Sequence, residues 1–395
     1  MIASIVEEVS KRLDGGLCVE LPDGKVLGAG KCKVRIKDKD VIKKVLKDPE
    51  MGFGEAYIKG GIEVDGDLES FLVACTCYLR EKDEDKSFRN SWGRMLLKYL
   101  GLLKFLEGKE VRRHYDLGND FYQLWLDSSM TYSCAFFSNK DQSLEEAQAE
   151  KRSIIYEKLQ LTDGDSLLDI GCGWGSIILE APKLYNIEAT GITLSKNQYE
   201  YVKSRIESEG LKDRVRVYLM HYEDLPKLDK KFNKVVSVGM FEHVGKGRHR
   251  KFFRVVEKVI HEGGLFLLHT IGKVLPESQS RWIRKYIFPG GYIPALTEIL
   301  EASKGLGFNL IDIDDWRLHY YRTLREWRKR FYQHTRDVVQ KHGEEFFRMW
   351  ELYLVSSAVS FLTGSNHLFQ ILFSKGVLNN YPIMKRQFIV NNFVV

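Results

Sequence analysis

The sequence has little that would mark a metal centre, an export signal or a membrane span. Only six cysteines occur, at positions 18, 32, 75, 77, 134 and 172. Cys75 and Cys77 are separated by one residue, so no pair has zinc-ligand spacing and no metal is expected. This usage reads as a reduced, cytoplasmic protein. No run approaches the ~20 apolar residues of a transmembrane helix, so any membrane contact is peripheral. The opening MIASIVEEVSKRLDGG alternates apolar and charged residues at helical spacing and lacks a signal peptide's basic-then-apolar order. Charge is nearly balanced, 60 basic against 54 acidic residues, net +6. That excess favours anionic partners weakly and does not suggest nucleic acid. There is no internal repeat and no low-complexity tract.

What is present is a globular composition, 44% hydrophobic and 29% charged. A length of 395 residues implies two domains. Residues 1–80 read as a small mixed α+β domain, with short β-like pieces (LCVELP, KVRIK, AYIKGGIEV) among glycine turns. REKDEDKSFRN, 80–90, is apolar-poor and reads as a linker. WGRMLLKYLGLLKFL predicts a helix over about 91–106, so 81–108 is taken as linker and helix. From 109 to 395, apolar strands alternate with amphipathic helices: SLLDI, EATGIT, VRVYLM, KVVSVGM and LFLLHTI. Such alternation predicts a mostly parallel sheet with crossover helices.

The strongest local signal is LLDIGCGWGS, 167–176. A strand ends in Asp169, then Gly171, Gly173 and Gly175 lead into a helix. Glycines there let the backbone approach a ligand closely. The spacing is not the dinucleotide fingerprint, and no Gly-Lys-Ser/Thr phosphate loop follows. The acid-x-Gly-x-Gly-x-Gly loop resembles that of S-adenosylmethionine-dependent methyltransferases of the Rossmann-like class. Many of these carry an acid at the end of the second strand. Here that strand ends in Thr193, so adenosine contacts fall to Thr193, Ser195, Gln198 or backbone. TLSKNQ also reads as a helix cap.

In open α/β sheets, ligands bind beyond the carboxyl ends of the strands, at the switch in strand order. Ordered around the first strand, VVSVGM and LFLLHTIG lie side by side. Their ends deliver Glu242–His243 and His269–Ile271. Glu242 and His269 are therefore expected to converge where a bound cofactor presents its reactive group. A lone strand-end histidine is commonly structural, and His243 is read that way.

Six ordered stretches then fix a resemblance: HYDLGNDFY (114–122), YSCAFF (132–137), LDIGCGWG (168–175), SVGMFEHVG (237–245), LHTIG (268–272) and KYIFPGG (285–291). Together they resemble the cyclopropane-fatty-acyl-phospholipid synthases, from about 109 to 376. The resemblance implies a class I methyltransferase fold with a mostly parallel seven-stranded sheet, and helical lid elements around 273–345. It implies S-adenosylmethionine as methyl donor, a cis-unsaturated phospholipid as substrate and a bound bicarbonate as base. The bicarbonate residues carry over to Cys134, Glu242, His269, Ile271 and Tyr320, with Tyr321 an alternative to Tyr320. The cofactor contacts carry over to Tyr132, Ser133, Asp169, Gly171, Gly173, Gly175, Thr193, Gln198, Tyr222 and Glu223. Where the family often has a C-terminal cysteine, this chain has Ser357, which rules out a thiol mechanism there.

A bilayer substrate requires docking. KCKVRIKDKDVIKKVLK (31–47) and RLHYYRTLREWRKRFYQHTRDVVQK (317–341) each hold eight basic and two acidic residues. The second interleaves aromatics and reads better as a helix packing into the core. The N-terminal domain is then the membrane contact, on the inner face, with a homodimer as a further expectation. Three rivals remain: a lipid methyltransferase that closes no ring, a methyltransferase of the same fold acting on a small amine, and a non-catalytic lipid-binding protein.

Overall fold

The computed structural model describes residues 2–84 and 117–382. These fall into two compact units. The first joins the described N-terminal residues to Ser280–Pro289 and Tyr332–Thr363, and the second takes the rest.

In the first unit, β1 (Leu17–Glu20), β2 (Val26–Leu27), β3 (Cys32–Ile36) and β4 (Ile62–Asp65) form a sheet in the order β2-β1-β3-β4. The alternation in CKVRI turns Cys32 and Val34 inward and Lys33 and Arg35 outward, as a half-buried strand requires. The helix Pro49–Ile58 packs on the late helix Glu344–Leu362. Glu351 ties them together, accepting from the Tyr57 hydroxyl at 2.7 Å and the Tyr332 hydroxyl at 2.6 Å. Glu50 accepts from the Trp282 backbone N–H at 3.2 Å, and Glu55 pairs with Lys285 at 2.7 Å.

These contacts correct the expected contiguous domain 109–395. Residues 280–289 and 332–363 contact the N-terminal segment instead, with Trp282 lying against Gly54 and the Tyr286 hydroxyl donating to Glu55 at 3.0 Å. The expected linker also begins too early, because the helix Leu68–Glu84 runs through 80–84. Arg80 and Glu81 are exposed on it. The helix expected at 91–106, and residues 114–116 of the first motif, lie outside the described residues.

The second unit is built on β5 (Ser166–Ile170), β6 (Glu188–Thr193), β7 (Val215–Leu219), β8 (Phe232–Val238), β9 (Ile260–Gly272), β10 (Phe308–Asp315) and β11 (His367–Lys375). Their order is β10-β11-β9-β8-β5-β6-β7. All neighbours are parallel except β11, which is antiparallel to β9 and β10. This is the expected mostly parallel seven-stranded methyltransferase sheet. The chain runs outward from β5 through β6 and β7, then resumes on the other side with β8 and β9. The switch point is therefore the carboxyl end of β5. Phe252, Phe253, Phe266 and Phe373 fill one face, and Ile178, Val202, Leu267 and Leu372 the other. The helix Leu144–Lys158 begins with a full Ser143–Glu146 capping box, which fixes its start.

The shared packing of the first unit yields a prediction. An isolated fragment 2–84 loses Glu351, Trp282 and the long helix that carries Tyr353. It is expected to show no cooperative urea transition by circular dichroism. A sharp transition would show that this segment folds without the late helices.

Candidate active site

Three segments meet at the carboxyl end of β5. The glycine loop lies beside β6, since the N–H groups of Gly171 and Cys172 both donate to the Ile192 carbonyl, at 3.0 and 2.9 Å. Gly171, Gly173 and Gly175 all have positive φ, 87°, 55° and 84°. A Cβ on Gly171 would come within 2.5 Å of the Met240 side chain, so this glycine is required by the loop that follows β8. A Cβ on Gly173 would meet nothing within 4 Å. The middle glycine thus faces an open cradle. The loop 132–134 arrives from the other side, with the Ser133 Cβ 3.8 Å from where a Cβ on Gly239 would lie.

Aromatic rings line this junction. Tyr132 packs against Tyr122, Trp125 and Trp327 with centroids 5.2–5.6 Å apart. Tyr122 reaches the glycine loop through Trp174, at 4.9 Å, and the Trp174 N–H donates to Asn119 at 2.8 Å. Tyr320 joins the cluster edge-on to Trp327 at 6.0 Å, while Tyr321 lies under the Arg325 guanidinium. The helix Arg317–Gln333 buries Tyr320, Tyr321, Trp327 and Phe331, in keeping with a core-packing reading of that basic segment.

β8 stops at Val238, and the Gly239 N–H makes a last bond to the His269 carbonyl at 2.9 Å. β9 continues for three more residues. Phe241, wedged among Phe252, Phe253 and His249, anchors the short turn Phe241–His243. Glu242 then reaches back across the space β8 has vacated. Its Oε1 accepts from the Ile271 N–H at 2.6 Å, and its own carbonyl accepts from the Tyr292 N–H at 2.8 Å. Its second oxygen is buried without a partner. Burial pushes the Glu242 carboxyl up to about 7, against the opposing pull of the backbone N–H groups and the Thr270 hydroxyl. His269 is fully buried, with neither ring nitrogen hydrogen-bonded, and burial drives it well below the usual imidazole range. Trp316 covers it edge-on at 5.5 Å. His243 sits buried behind the turn, and burial lowers it to about 4.

Cys134 is fully buried, and its thiol points at the Ala135 carbonyl at 3.1 Å. Burial raises its pKa far out of the thiolate range, so it contributes no nucleophile. Thr193 and Gln198 meet each other, hydroxyl to carboxamide oxygen at 2.7 Å, and Ser195 caps the helix Lys196–Ser208. Tyr222 packs on Phe252, and Glu223 is held by Lys251 at 2.5 Å. These last two are drawn toward the helix His249–Val259.

Lys151 was not anticipated. It is buried in the helix Leu144–Lys158 and donates to the Ser133 hydroxyl at 2.7 Å. Burial, and then the Arg152 charge, lower it to about 7, while burial lifts Asp169 to about 7 against the pull of Lys151. Asp169 keeps one buried oxygen unpartnered. The signal was available: Leu144, Gln148, Lys151, Ile155 and Lys158 recur at helical spacing, so polar residues occupy a core-facing stripe.

A family model described as mycolic acid cyclopropane synthetase matches residues 105–371. The chain belongs to that family. A second model, of a domain of unknown function, matches 7–82. The Escherichia coli K12 protein named cyclopropane-fatty-acyl-phospholipid synthase is 36% identical over 91% of this chain and 92% of its own. A Pseudomonas putida protein named probable fatty acid methyltransferase is 34% identical over 86% of each chain. Among solved structures, the cyclopropane synthase MmaA2 from Mycobacterium tuberculosis aligns with a TM-score of 0.64 at 34% identity, over 69% of this chain and all of its own. Mycolic acid cyclopropane synthase CmaA1, solved with SAH and CTAB, gives 0.64 at 32% identity, over 68% of this chain and 99% of its own. This member is accordingly an S-adenosylmethionine-dependent methyltransferase. The site fits that cofactor: the open cradle at Gly173 and the orphaned oxygen of Asp169 are what a ligand with a polar edge would complete.

The raised Glu242 pKa carries a signed prediction. A carboxyl held above its unfolded value stabilises the fold below about pH 4, and that stability is lost as pH rises through about 7. Glu242→Gln keeps an oxygen for the Ile271 N–H and cannot ionise. Urea unfolding is therefore expected to show the variant equal to the parent at pH 4 and more stable by about 1–3 kcal/mol at pH 8. A pH-independent difference would contradict the assignment.

Proposed function

We propose that the enzyme transfers a methylene group from S-adenosylmethionine to the cis double bond of unsaturated acyl chains in membrane phospholipids. The product is a cyclopropane ring, and a bound bicarbonate serves as base. The observation that carries this reading is the closed polar end of β8 and β9. Glu242 keeps one oxygen, and His269 both nitrogens, buried and unpaired. Unpaired buried groups cost free energy, which a bound small oxyanion would offset.

When bound, S-adenosylmethionine supplies an electrophilic methyl group. Ring formation then requires the acyl chain to gain one carbon, pass through a cation and lose one proton from the added carbon. The rings of Tyr132, Trp327 and Tyr320 offer electron-rich faces to such a cation and leave little room for water. Glu242, with a carboxyl near neutrality, accepts a hydrogen bond from a protonated oxyanion when ionised and donates one when protonated. His269, neutral in its dry pocket, donates from one nitrogen and accepts at the other. Bicarbonate at this point supplies the base, and Tyr320, Ile271 and the Cys134 backbone complete its surroundings.

The substrate reading draws on relatives whose names specify acyl phospholipid or fatty acid, aligned over most of both chains. Among the described residues no helix is long and apolar enough to cross a membrane. We place docking on the first unit, at the cytoplasmic face. Its helix Lys39–Lys47 exposes Leu46 beside Lys43, Lys44 and Lys47. Basic groups near an anionic surface contribute about 1 kcal/mol each. A homodimer would double that contact.

The test is turnover on vesicles of unsaturated phospholipid in buffer stripped of carbon dioxide, then resupplied with bicarbonate. The product should gain one CH2 and resist ozonolysis, since a ring replaces the double bond. Bicarbonate should restore the rate. Glu242→Gln should lower it roughly ten- to hundredfold, the cost of one charge-assisted hydrogen bond in the transition state. A product of the same mass that ozone cleaves would instead identify a methyltransferase that closes no ring. Equal rates with and without bicarbonate would remove the base.

A further inference from the structure

The register of the sheet places a second unpaired polar residue beside His269. Gln370 on β11 pairs directly with His269 on β9 in antiparallel register. Directly opposed residues of such a pair project to the same face, with Cβ atoms about 4.5–5.5 Å apart. Gln370 is fully buried, and neither its carboxamide oxygen nor its nitrogen has a hydrogen-bond partner. On its other side it pairs with Asp314, whose carboxylate is taken by the buried Lys158. The interior row across β9, β11 and β10 is thus histidine, glutamine and aspartate, and only the aspartate is satisfied.

Two adjacent buried residues with four unpaired polar atoms do not arise from packing, which would place apolar side chains there at lower free energy. We infer that Gln370 is a further ligand of the small oxyanion proposed for this site, its carboxamide N–H donating to the ion alongside His269. The inference rests on the bicarbonate reading above. It gives the ion a neutral donor, which binds it without drawing the proton that a lysine there would hold.

The experiment is a 13C NMR titration of labelled bicarbonate against the full-length enzyme, comparing wild type, Gln370→Leu and the straight-chain Gln370→Met. Urea unfolding and calorimetric titration of S-adenosylmethionine are measured on the same samples. Both variants are expected to bind bicarbonate about tenfold more weakly. Their affinity for S-adenosylmethionine should be unchanged, and their urea midpoints equal to or above wild type, because an unpaired amide has been removed. A lowered midpoint or loss of fold in both variants would overturn the inference, since it would show an amide held by the protein itself. So would unchanged bicarbonate affinity in both variants while wild type binds the ion. Absence of binding by wild type would overturn the bicarbonate reading itself, and this inference with it.

Discussion

The site depends on one hydrogen bond between a side chain and a strand edge. Because β8 ends at Val238 and β9 runs on to Gly272, the Ile271 N–H faces a gap in the sheet. Glu242 fills that gap with one carboxylate oxygen. The bond satisfies a buried backbone donor that would otherwise be orphaned. It also draws an acid into a dry interior, where its ionised form is disfavoured. Phe241 holds the turn in the core, and the Tyr292 N–H pins its backbone, so the carboxylate has little freedom to leave.

The same constraint explains an imbalance across the sheet. Below the strand ends, both faces are filled with Phe, Leu, Ile and Val. At the ends, Asp169, Glu242, His269 and Gln370 are all buried with unpaired atoms. Each costs stability that an apolar residue would not. Concentration of such costs at one end of one sheet marks a functional site. The aromatic wall of Tyr132, Trp125 and Trp327, with ring centroids 5.2–5.5 Å apart, packs beside these groups.

Much of this was legible in the sequence. Five of the seven strands announce themselves as short β-branched or leucine runs, and the glycine spacing named the loop at β5. Ordering the sheet around its first strand brought the ends of β8 and β9 together, but gave no place to β10 and β11. Two strands were not marked in the pattern. FNLIDIDD alternates charge with apolar residues as a solvated edge would, and HLFQILFSK reads equally as a buried helix segment. Without β11 placed next to β9, Gln370 has no reason to be noticed. The division into units was hidden for another reason. Trp282 and Glu351 complete a unit that begins more than two hundred residues earlier in the chain, and no local signal records such a pairing. Tyr222 and Glu223 were carried over from the family resemblance alone, outside the six motifs, and in the structure they engage Phe252 and Lys251.

The central claim is that Glu242 is a buried acid poised near neutrality by its place at the end of β8. Difference infrared spectroscopy between wild type and Glu242→Gln isolates the carbonyl stretch of this one carboxyl. Titrated in the absence of ligands, the protonated band is expected to persist through pH 6 and to vanish with a midpoint near pH 7. A band already lost by pH 5 would mean that Glu242 is an ordinary ionised carboxylate, and that the gap beyond β8 is open to water.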